Sequence, residues 1–306
     1  MLRYYVKRAA AEDFQRVNTP PTDGAWVHGD TVTGTDLETL AHHYGFDINI
    51  LRDVLDPQEL PRVERSDGGL YVFVTMAQRG KHGRVFTTPV LLAVKGSVFI
   101  NLSMAATEDH KLATPSLLAH TRDTTSLLLG TFATIVGEYE DLIQRIGRRI
   151  RDTRRRLRTH EVTNDDFIQF VTVEDNLNTY QTNLNSMLVV AQRLQEAIDG
   201  HADREAIEDI VLYVRQLQVT IESQSQSITS IRNAYSTIAN NVLNQRMKTL
   251  TVLTLLVALP NVFFGMYGMN VALPFAGAPW AYPLVVGVSV VVVIFIYLVA
   301  KRFRIF

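Results

Sequence analysis

The C-terminal part of the chain, from Thr249 to Ala300, contains no Lys, Arg, Asp, Glu or His. Two apolar segments lie within it, Leu250–Met266 and Tyr282–Ala300, and each is long enough to cross a hydrocarbon core of about 30 Å. Two buried core helices are the alternative, but tandem uncharged segments of this length are rare in soluble domains. We therefore predict two transmembrane helices, over about 250–266 and 282–300, that insert in a lipid bilayer.

Positive charges flank both apolar segments, whereas the connecting loop over 271–281 has none. The basic flanking residues are Arg246 and Lys248 before the first segment and Lys301, Arg302 and Arg304 after the second. Because such residues stay on the cytoplasmic side, we predict that both termini face the cytoplasm. The expected location is the plasma membrane, with most of the chain in a cytoplasmic N-terminal body.

Composition excludes several other classes of protein. The chain has 30 Lys+Arg against 31 Asp+Glu, and this near-neutral balance argues against a nucleic-acid binder. It has no Cys, which excludes disulfide scaffolds, thiolate metal sites and Cys nucleophiles. We find no catalytic constellation and no cofactor motif, so an enzyme is not predicted. The arginine-rich stretch Arg145–Arg158 is interpreted as a solvated helix; phosphates, acidic lipid or an acidic partner are the alternative ligands.

The first part of the chain has a mixed pattern. Three segments rich in β-branched and aromatic residues predict strands: Leu70–Met76, Arg84–Val94 and Ser97–Leu102. Helical spacing between turn residues predicts helices over Asp36–Tyr44 and Ile48–Leu55. We therefore expect an α+β domain over residues 1–115, with a sheet covered by helices in an α/β/α sandwich.

Long helices are predicted after this domain. The segments run from about Thr124 to His160, from Asp165 to Ile198, and from Ala202 onward, where neither Gly nor Pro occurs until Pro260. We assign 116–248 to a helical stalk and 249–306 to a transmembrane pore domain. The last helix is expected to enter the first membrane segment without a break.

A seven-residue repeat marks the last of these helices. Its apolar positions are Ile207, Val214, Ile221, Ile228, Tyr235 and Val242, with a second series at Ile210, Leu217, Ile231 and Ile238. Such a sustained repeat predicts a supercoiled bundle. Burial against the chain's own helices accounts for part of the stripe, and self-association accounts better for its length. An oligomer is therefore expected.

A tripeptide closes the first membrane segment. Gly268, Met269 and Asn270 follow Tyr267, and the segment begins within Asn244–Thr251, whose sequence is NQRMKTLT. In this context the chain resembles the CorA family of magnesium transporters, which carries a Gly-Met-Asn signature at this place. A weaker similarity covers Pro61–Glu64 and the strand that follows.

The resemblance implies a funnel-shaped homopentamer whose pore is lined by five long helices. A ring of five Asn270 amides would be the selectivity filter, together with Gly268 and Met269. Because Mg²⁺ dehydrates reluctantly, such a ring suits the hydrated ion, whose waters donate hydrogen bonds to amide oxygens. Gly268 is expected to permit a conformation or close approach that a side chain would block. The alternative for Asn270 is a helix C-cap.

The resemblance also places further residues along the pore. The aligned positions are Asn244, Met247, Leu250, Ala258 and Asn261. An amide in an apolar segment is costly unless it faces water, which favours the pore for Asn261. Its alternatives are a helix–helix hydrogen bond or a partner for the backbone freed by Pro260. Met247 and Leu250 are expected to form an apolar constriction that gates by dewetting, or a simple coiled-coil core.

One departure from the family concerns regulation. The resemblance implies regulation by Mg²⁺ bound between acidic residues of the cytoplasmic domain and of the stalk of a neighbouring subunit. Asp209, beside Glu208, occupies the position of the acidic stalk residue. The facing loop, Gln78–His82, is basic instead of acidic. We therefore expect weak or absent Mg²⁺ inhibition through a metal site at Asp209.

The sequence thus predicts a divalent-cation channel or transporter for Mg²⁺, with Co²⁺ or Ni²⁺ as surrogates and no cofactor. Its expected partners are other copies of itself, the bilayer and divalent cations, and not nucleic acid. One alternative is a Zn²⁺ transporter of the same superfamily, which would pass hydrated zinc because the pore segment has no His or Cys. The other is a membrane-anchored scaffold or sensor that conducts nothing.

Overall fold

The computed structural model describes residues 1–7, 14–80, 84–106, 121–158, 164–198, 200–269 and 277–302. The chain forms two compact units, Met1–Thr229 and Ser230–Phe306. The boundary between them falls within one long helix.

Unit 1 contains a seven-stranded mixed sheet. Its strands are β1 (Leu2–Val6), β2 (Gln15–Val17), β3 (Ala25–Gly29), β4 (Arg62–Ser66), β5 (Gly69–Arg79), β6 (Val85–Lys95) and β7 (Val98–Ser103). The spatial order is β2-β1-β3-β7-β6-β5-β4. All neighbouring strands are antiparallel except β3 and β7, which pair in parallel. The three predicted strands are confirmed as β5, β6 and β7, whereas β1 to β4 were not predicted.

The helices of the described chain are α1 (Gly34–Tyr44), α2 (Ile48–Asp53), α3 (Thr124–Arg158), α4 (Asn164–Ala197), α5 (His201–Tyr267) and α6 (Ala281–Arg302). All of the predicted helices are present with nearly the predicted bounds. The start of α1 shows why: Thr33 and Asp36 form a reciprocal capping box, and Gly45 ends the helix in the left-handed conformation.

Helices cover both faces of the sheet. On one face, α1 and α2 pack through Leu37, Leu40 and Leu51 against alternate residues of the strands, including Phe73 and Leu91. On the other face, α3 contacts β5, β6 and β7, and α4 contacts β4 and β5. This arrangement confirms the predicted α/β/α layering, extended by the long helices.

Strand β6 carries Pro89 although it lies inside the sheet. Pro89 pairs with Thr75 of β5, one residue beyond the point where β7 stops pairing with β6 at Val90. Proline has no N–H to donate to a ladder. The Thr75 carbonyl oxygen instead accepts a hydrogen bond of 2.8 Å from the hydroxyl of Tyr139 on α3, which ties that helix to the sheet.

The part of α5 that belongs to unit 1 packs within the chain. Gln224 donates to the Ile143 carbonyl oxygen of α3 at 3.1 Å, and Gln218 donates to the Asn185 side chain of α4 at 2.7 Å. The heptad residues of this part are buried, with Ile221 only 2% exposed. The interpretation of the stripe as the chain's own helix packing is therefore correct for this part.

Unit 2 contains the remainder of α5 and all of α6. Both helices include stretches long and apolar enough to cross a membrane, with mean hydropathies of 1.8 and 2.8. Very little of either stretch is buried within the chain. The two predicted membrane segments thus lie in helices with the required length and composition.

Candidate ion pathway

The five residues expected to line a pore all lie on the α5 portion of unit 2. At 3.6 residues per turn, their positions fall within about a third of the helix circumference. These residues are Asn244, Met247, Leu250, Ala258 and Asn261, and the side chain of each is exposed within the chain. One face of α5 therefore alternates amides with apolar side chains and is not covered by the chain itself.

Asn261 stands out on this face because its side chain makes no hydrogen bond with any residue that the structure describes. Pro260 lies inside the helix and leaves one carbonyl without its usual donor. Within the described chain, Asn261 neither serves that carbonyl nor bonds another helix. The amide is thus free to face water or a neighbouring molecule.

Two threonines lie on the same face and were not predicted as lining residues. The Thr251 hydroxyl donates to the Met247 carbonyl oxygen, and the Thr254 hydroxyl donates to the Leu250 carbonyl oxygen, both at 2.9 Å. Each hydroxyl oxygen keeps its acceptor capacity toward the outer surface of the helix. Thr251 follows Met247 by four residues and Thr254 precedes Ala258 by four residues, and this helical spacing would have identified both threonines.

The helix ends at the tripeptide. The Gly268 N–H donates to the Phe264 carbonyl oxygen at 3.0 Å, and the Met269 N–H donates to the Met266 carbonyl oxygen at 3.3 Å. A methyl group at Gly268 would lie 3.4 Å from the Phe264 carbonyl oxygen, an ordinary contact. Hence no contact with the described residues demands glycine here. Asn270 lies outside the described residues.

The basic flanking residues lie at the ends of the apolar stretches. Arg246 and Lys248 are exposed on α5 just before the stretch begins, and Lys301 and Arg302 are exposed in the last turn of α6. Arg304 lies outside the described residues. This distribution agrees with charged residues that anchor two spans at the same side of a bilayer.

The expected regulatory residue, Asp209, is exposed on α5. Its neighbour Glu208 accepts a hydrogen bond of 3.0 Å from Gln195. Among the residues described, no three His, Cys, Asp or Glu side chains are grouped so that they would hold a metal ion. Arg79 ends β5, while Lys81 and His82 lie outside the described residues. Weak inhibition through Asp209 stays a prediction.

These features together describe a chain with two helices long and apolar enough to cross a membrane, one of which has an uncovered face that carries both amides and apolar side chains. A family model described as CorA-like Mg²⁺ transporter protein matches residues 22–302. The chain therefore belongs to the CorA family of Mg²⁺ transporter proteins.

Similarity to individual proteins extends over nearly the whole chain. The cobalt/magnesium transport protein CorA of Methanocaldococcus jannaschii is 25% identical over 284 residues, covering 89% of each chain. The complete structure of that magnesium transporter has a TM-score of 0.83 at 20% identity, covering 99% of this chain and 98% of the other.

Two further structures share the fold. The full-length CmaX protein has a TM-score of 0.73 at 17% identity, covering 99% of this chain and 97% of its own. The ZntB cytoplasmic domain from Vibrio parahaemolyticus has a TM-score of 0.53 at 9% identity, covering 80% and 97%. The ZntB likeness is thus a distant one of fold.

Proposed function

We propose that the protein is a homopentameric channel or transporter that carries hydrated Mg²⁺ across the plasma membrane, with Co²⁺ and Ni²⁺ as surrogates. The observation that carries this proposal is the uncovered face of α5 in unit 2. On it, Asn244 and Asn261 are exposed in line with apolar residues of a helix long enough to span a bilayer. A lipid-facing helix would not place the amide of Asn261 inside its apolar stretch.

Five copies of this helix around an axis would give the pathway a polar lining with an apolar constriction. Met247 and Leu250 are 53% and 55% exposed within the chain, so their side chains are available to close a narrow ring. Such a ring blocks ions when it excludes water. The five cytoplasmic units would then form the wide, funnel-shaped end.

Selection is proposed at the ring of Asn270, supported by Gly268 and Met269 at the end of α5. Mg²⁺ holds its inner waters tightly, and amide oxygens accept hydrogen bonds from those waters without replacing them. Since a methyl group fits at Gly268 within one chain, we attribute its glycine to the neighbouring chains or to the passing ion. The basic residues Arg246, Lys248, Lys301 and Arg302 support an orientation with both termini on the cytoplasmic side.

The direct test is ion flux into liposomes that contain the purified full-length protein. We expect saturable Mg²⁺ entry and five copies of the chain by native mass spectrometry in detergent. Zn²⁺ entry without Mg²⁺ entry would instead identify the zinc transporter. A well-assembled protein that passes neither ion would identify a non-conducting scaffold or sensor, and a stable monomer or dimer would contradict the pore.

Replacing Asn270→Ala provides a sharper test of selectivity. The change removes the proposed ring of water-binding oxygens, so we expect it to abolish Mg²⁺ uptake while leaving assembly unchanged. Asn241→Ala is the matched control, because Asn241 is exposed on α5 but off the proposed pore face. Normal uptake by assembled Asn270→Ala protein would place the selective site elsewhere.

A further inference from the structure

Unit 1 contains a half-enclosed cavity of about 190 Å³ between the end of β5, α3 and α4. Three arginines line it: Arg79 from β5, and Arg145 and Arg149 from α3. Because Arg145 and Arg149 are four residues apart, they lie one above the other on the same helix face, roughly 5–6 Å apart at their Cβ atoms. Three arginines, each exposed to solvent, therefore line one small space.

These arginines have no counter-charge within the described chain. None of the three guanidinium groups forms a salt bridge or a hydrogen bond with any residue that the structure describes. The described residues that line the cavity include no Asp or Glu. Elsewhere in unit 1 arginines are paired; Arg62, for example, contacts Asp53 at 2.6 Å and Glu64 at 3.2 Å. The cavity thus combines three positive charges with an absence of the usual protein partner.

The rest of the lining is preorganised. Tyr180, only 1% exposed, and Asn176 stand one turn apart on α4, and Asn176 accepts a hydrogen bond of 3.1 Å from the Val85 N–H. Burial raises the pKa of Tyr180, although the nearby charge of Arg79 opposes this shift, so its hydroxyl keeps its proton near neutral pH. Aliphatic side chains of α3, α4 and β6 form the walls. Such walls lower the local polarity and strengthen an ion's attraction to the arginines.

We propose that this cavity is a binding site for a small anion that carries two or more phosphate charges, such as a free diphosphate group. The planar guanidinium presents several N–H groups in a fixed fork that matches phosphate oxygens. Three of them supply the charge of a diphosphate, which a single surface arginine does not. The site lies within unit 1 and is independent of the proposed pore.

The test uses the full-length protein in detergent and inorganic pyrophosphate as the probe, in a magnesium-free, phosphate-free buffer. Calorimetric titration should give saturable binding that weakens as salt is raised. The double variant Arg145→Gln/Arg149→Gln should bind at least about tenfold more weakly, since two charge-assisted contacts are lost. Arg148→Gln/Arg155→Gln is the matched control, because it removes the same charge from positions of α3 that are equally exposed but do not line the cavity.

A second arm identifies the source of the phosphate. A short-chain, water-soluble phosphatidic acid is titrated in the same way. Tighter binding of this lipid, with the same dependence on Arg145 and Arg149, would support the anion site and assign it to a lipid headgroup; tighter binding of pyrophosphate would support a soluble ligand. Binding of neither probe, or equal weakening in the test and control variants, would overturn the proposal.

Discussion

The two parts of α5 carry the same seven-residue repeat but differ in what covers it. In unit 1, the apolar residues of the repeat from Ile207 to Ile228 are buried, and side chains of α5 bond to α3 and α4. In unit 2, Val242 is 43% exposed and the apolar residues beyond it are largely uncovered. A repeat in the sequence thus predicts that one face of the helix is buried. It does not predict whether the same chain or another molecule covers that face.

This difference separates stability from assembly. Apolar side chains that are buried within a chain stabilise its fold by roughly 1.5–3 kcal/mol each. Those exposed on a membrane helix contribute only when lipid or another copy covers them. We therefore expect substitutions in unit 1 to change folding, and substitutions in unit 2 to change assembly or transport at a constant fold.

The largest effect is expected for Ile221→Asp. The carboxylate would enter a site that is 2% exposed and lacks a partner charge, which costs roughly 4 kcal/mol or more of unfolding free energy. Thermal unfolding of the full-length protein, followed by circular dichroism, should show a strongly lowered midpoint or no folded protein. Val219→Asp is the control, because Val219 is 66% exposed on the same helix.

At Ile221 and Ile228 we therefore attribute the repeat to burial within the chain and not to self-association. If Ile221→Asp leaves the unfolding midpoint unchanged and only dissociates the oligomer, the burial within the chain is not what stabilises this part of α5. The proposed difference between the two parts of α5 would then be wrong, because both parts would serve assembly.

Val242→Asp should have the opposite signature. The side chain is partly exposed within the chain, so the fold of unit 1 should be unchanged, whereas a charge repeated around a closed bundle should weaken assembly. Native mass spectrometry should show fewer intact oligomers. The adjacent, exposed Asn241→Asp carries the same charge outside the heptad series and should assemble normally. Equal loss in both variants would point to general charge repulsion instead.

How far the sequence predicted the fold depended on the strength of local patterns. The long β5 and β6 are nearly continuous apolar runs between turns, and they were recognisable. Strand β3 (Ala25–Gly29) is short and buried on both faces, so it lacks an alternating pattern. Edge strand β4 (Arg62–Ser66) is largely polar and is held by pairing with β5. Such strands form because of neighbours distant in sequence, which no local window contains.

The candidate pathway was predictable to a different extent. Helical spacing alone places Asn244 and Asn261 on one face of α5, because the geometry of a helix is fixed by its sequence positions. The spacing does not indicate which molecule packs against that face. The reason for Gly268 was also beyond reach, since its Cβ would meet nothing prohibitive within one chain. In the proposed pentamer, contacts between chains would decide this position.

Asn261→Ala tests the uncovered face with a moderate expected effect. Because the Asn261 amide makes no hydrogen bond among the described residues, its loss should not destabilise the chain. It should lower Mg²⁺ flux in liposomes by roughly tenfold, the effect of about 1.4 kcal/mol on one step. Thr249→Ala serves as the control, because the Thr249 hydroxyl bonds the Gln245 carbonyl oxygen away from this face. A loss of stability with normal flux would assign Asn261 to helix packing.

The smallest effect on transport is expected from Tyr139→Phe in unit 1. The change leaves the buried Thr75 carbonyl oxygen opposite Pro89 without the hydroxyl that now donates to it. An unpaired buried acceptor costs about 1–3 kcal/mol, so the unfolding midpoint should fall while assembly and flux stay normal. Tyr44→Phe is a matched control, because the Tyr44 hydroxyl is buried without a partner among the described residues. Its removal should leave stability unchanged or slightly higher. If both variants lower the midpoint equally, the Tyr139–Thr75 hydrogen bond does not hold α3 to the sheet, and the stability of unit 1 has to be sought in its apolar contacts alone.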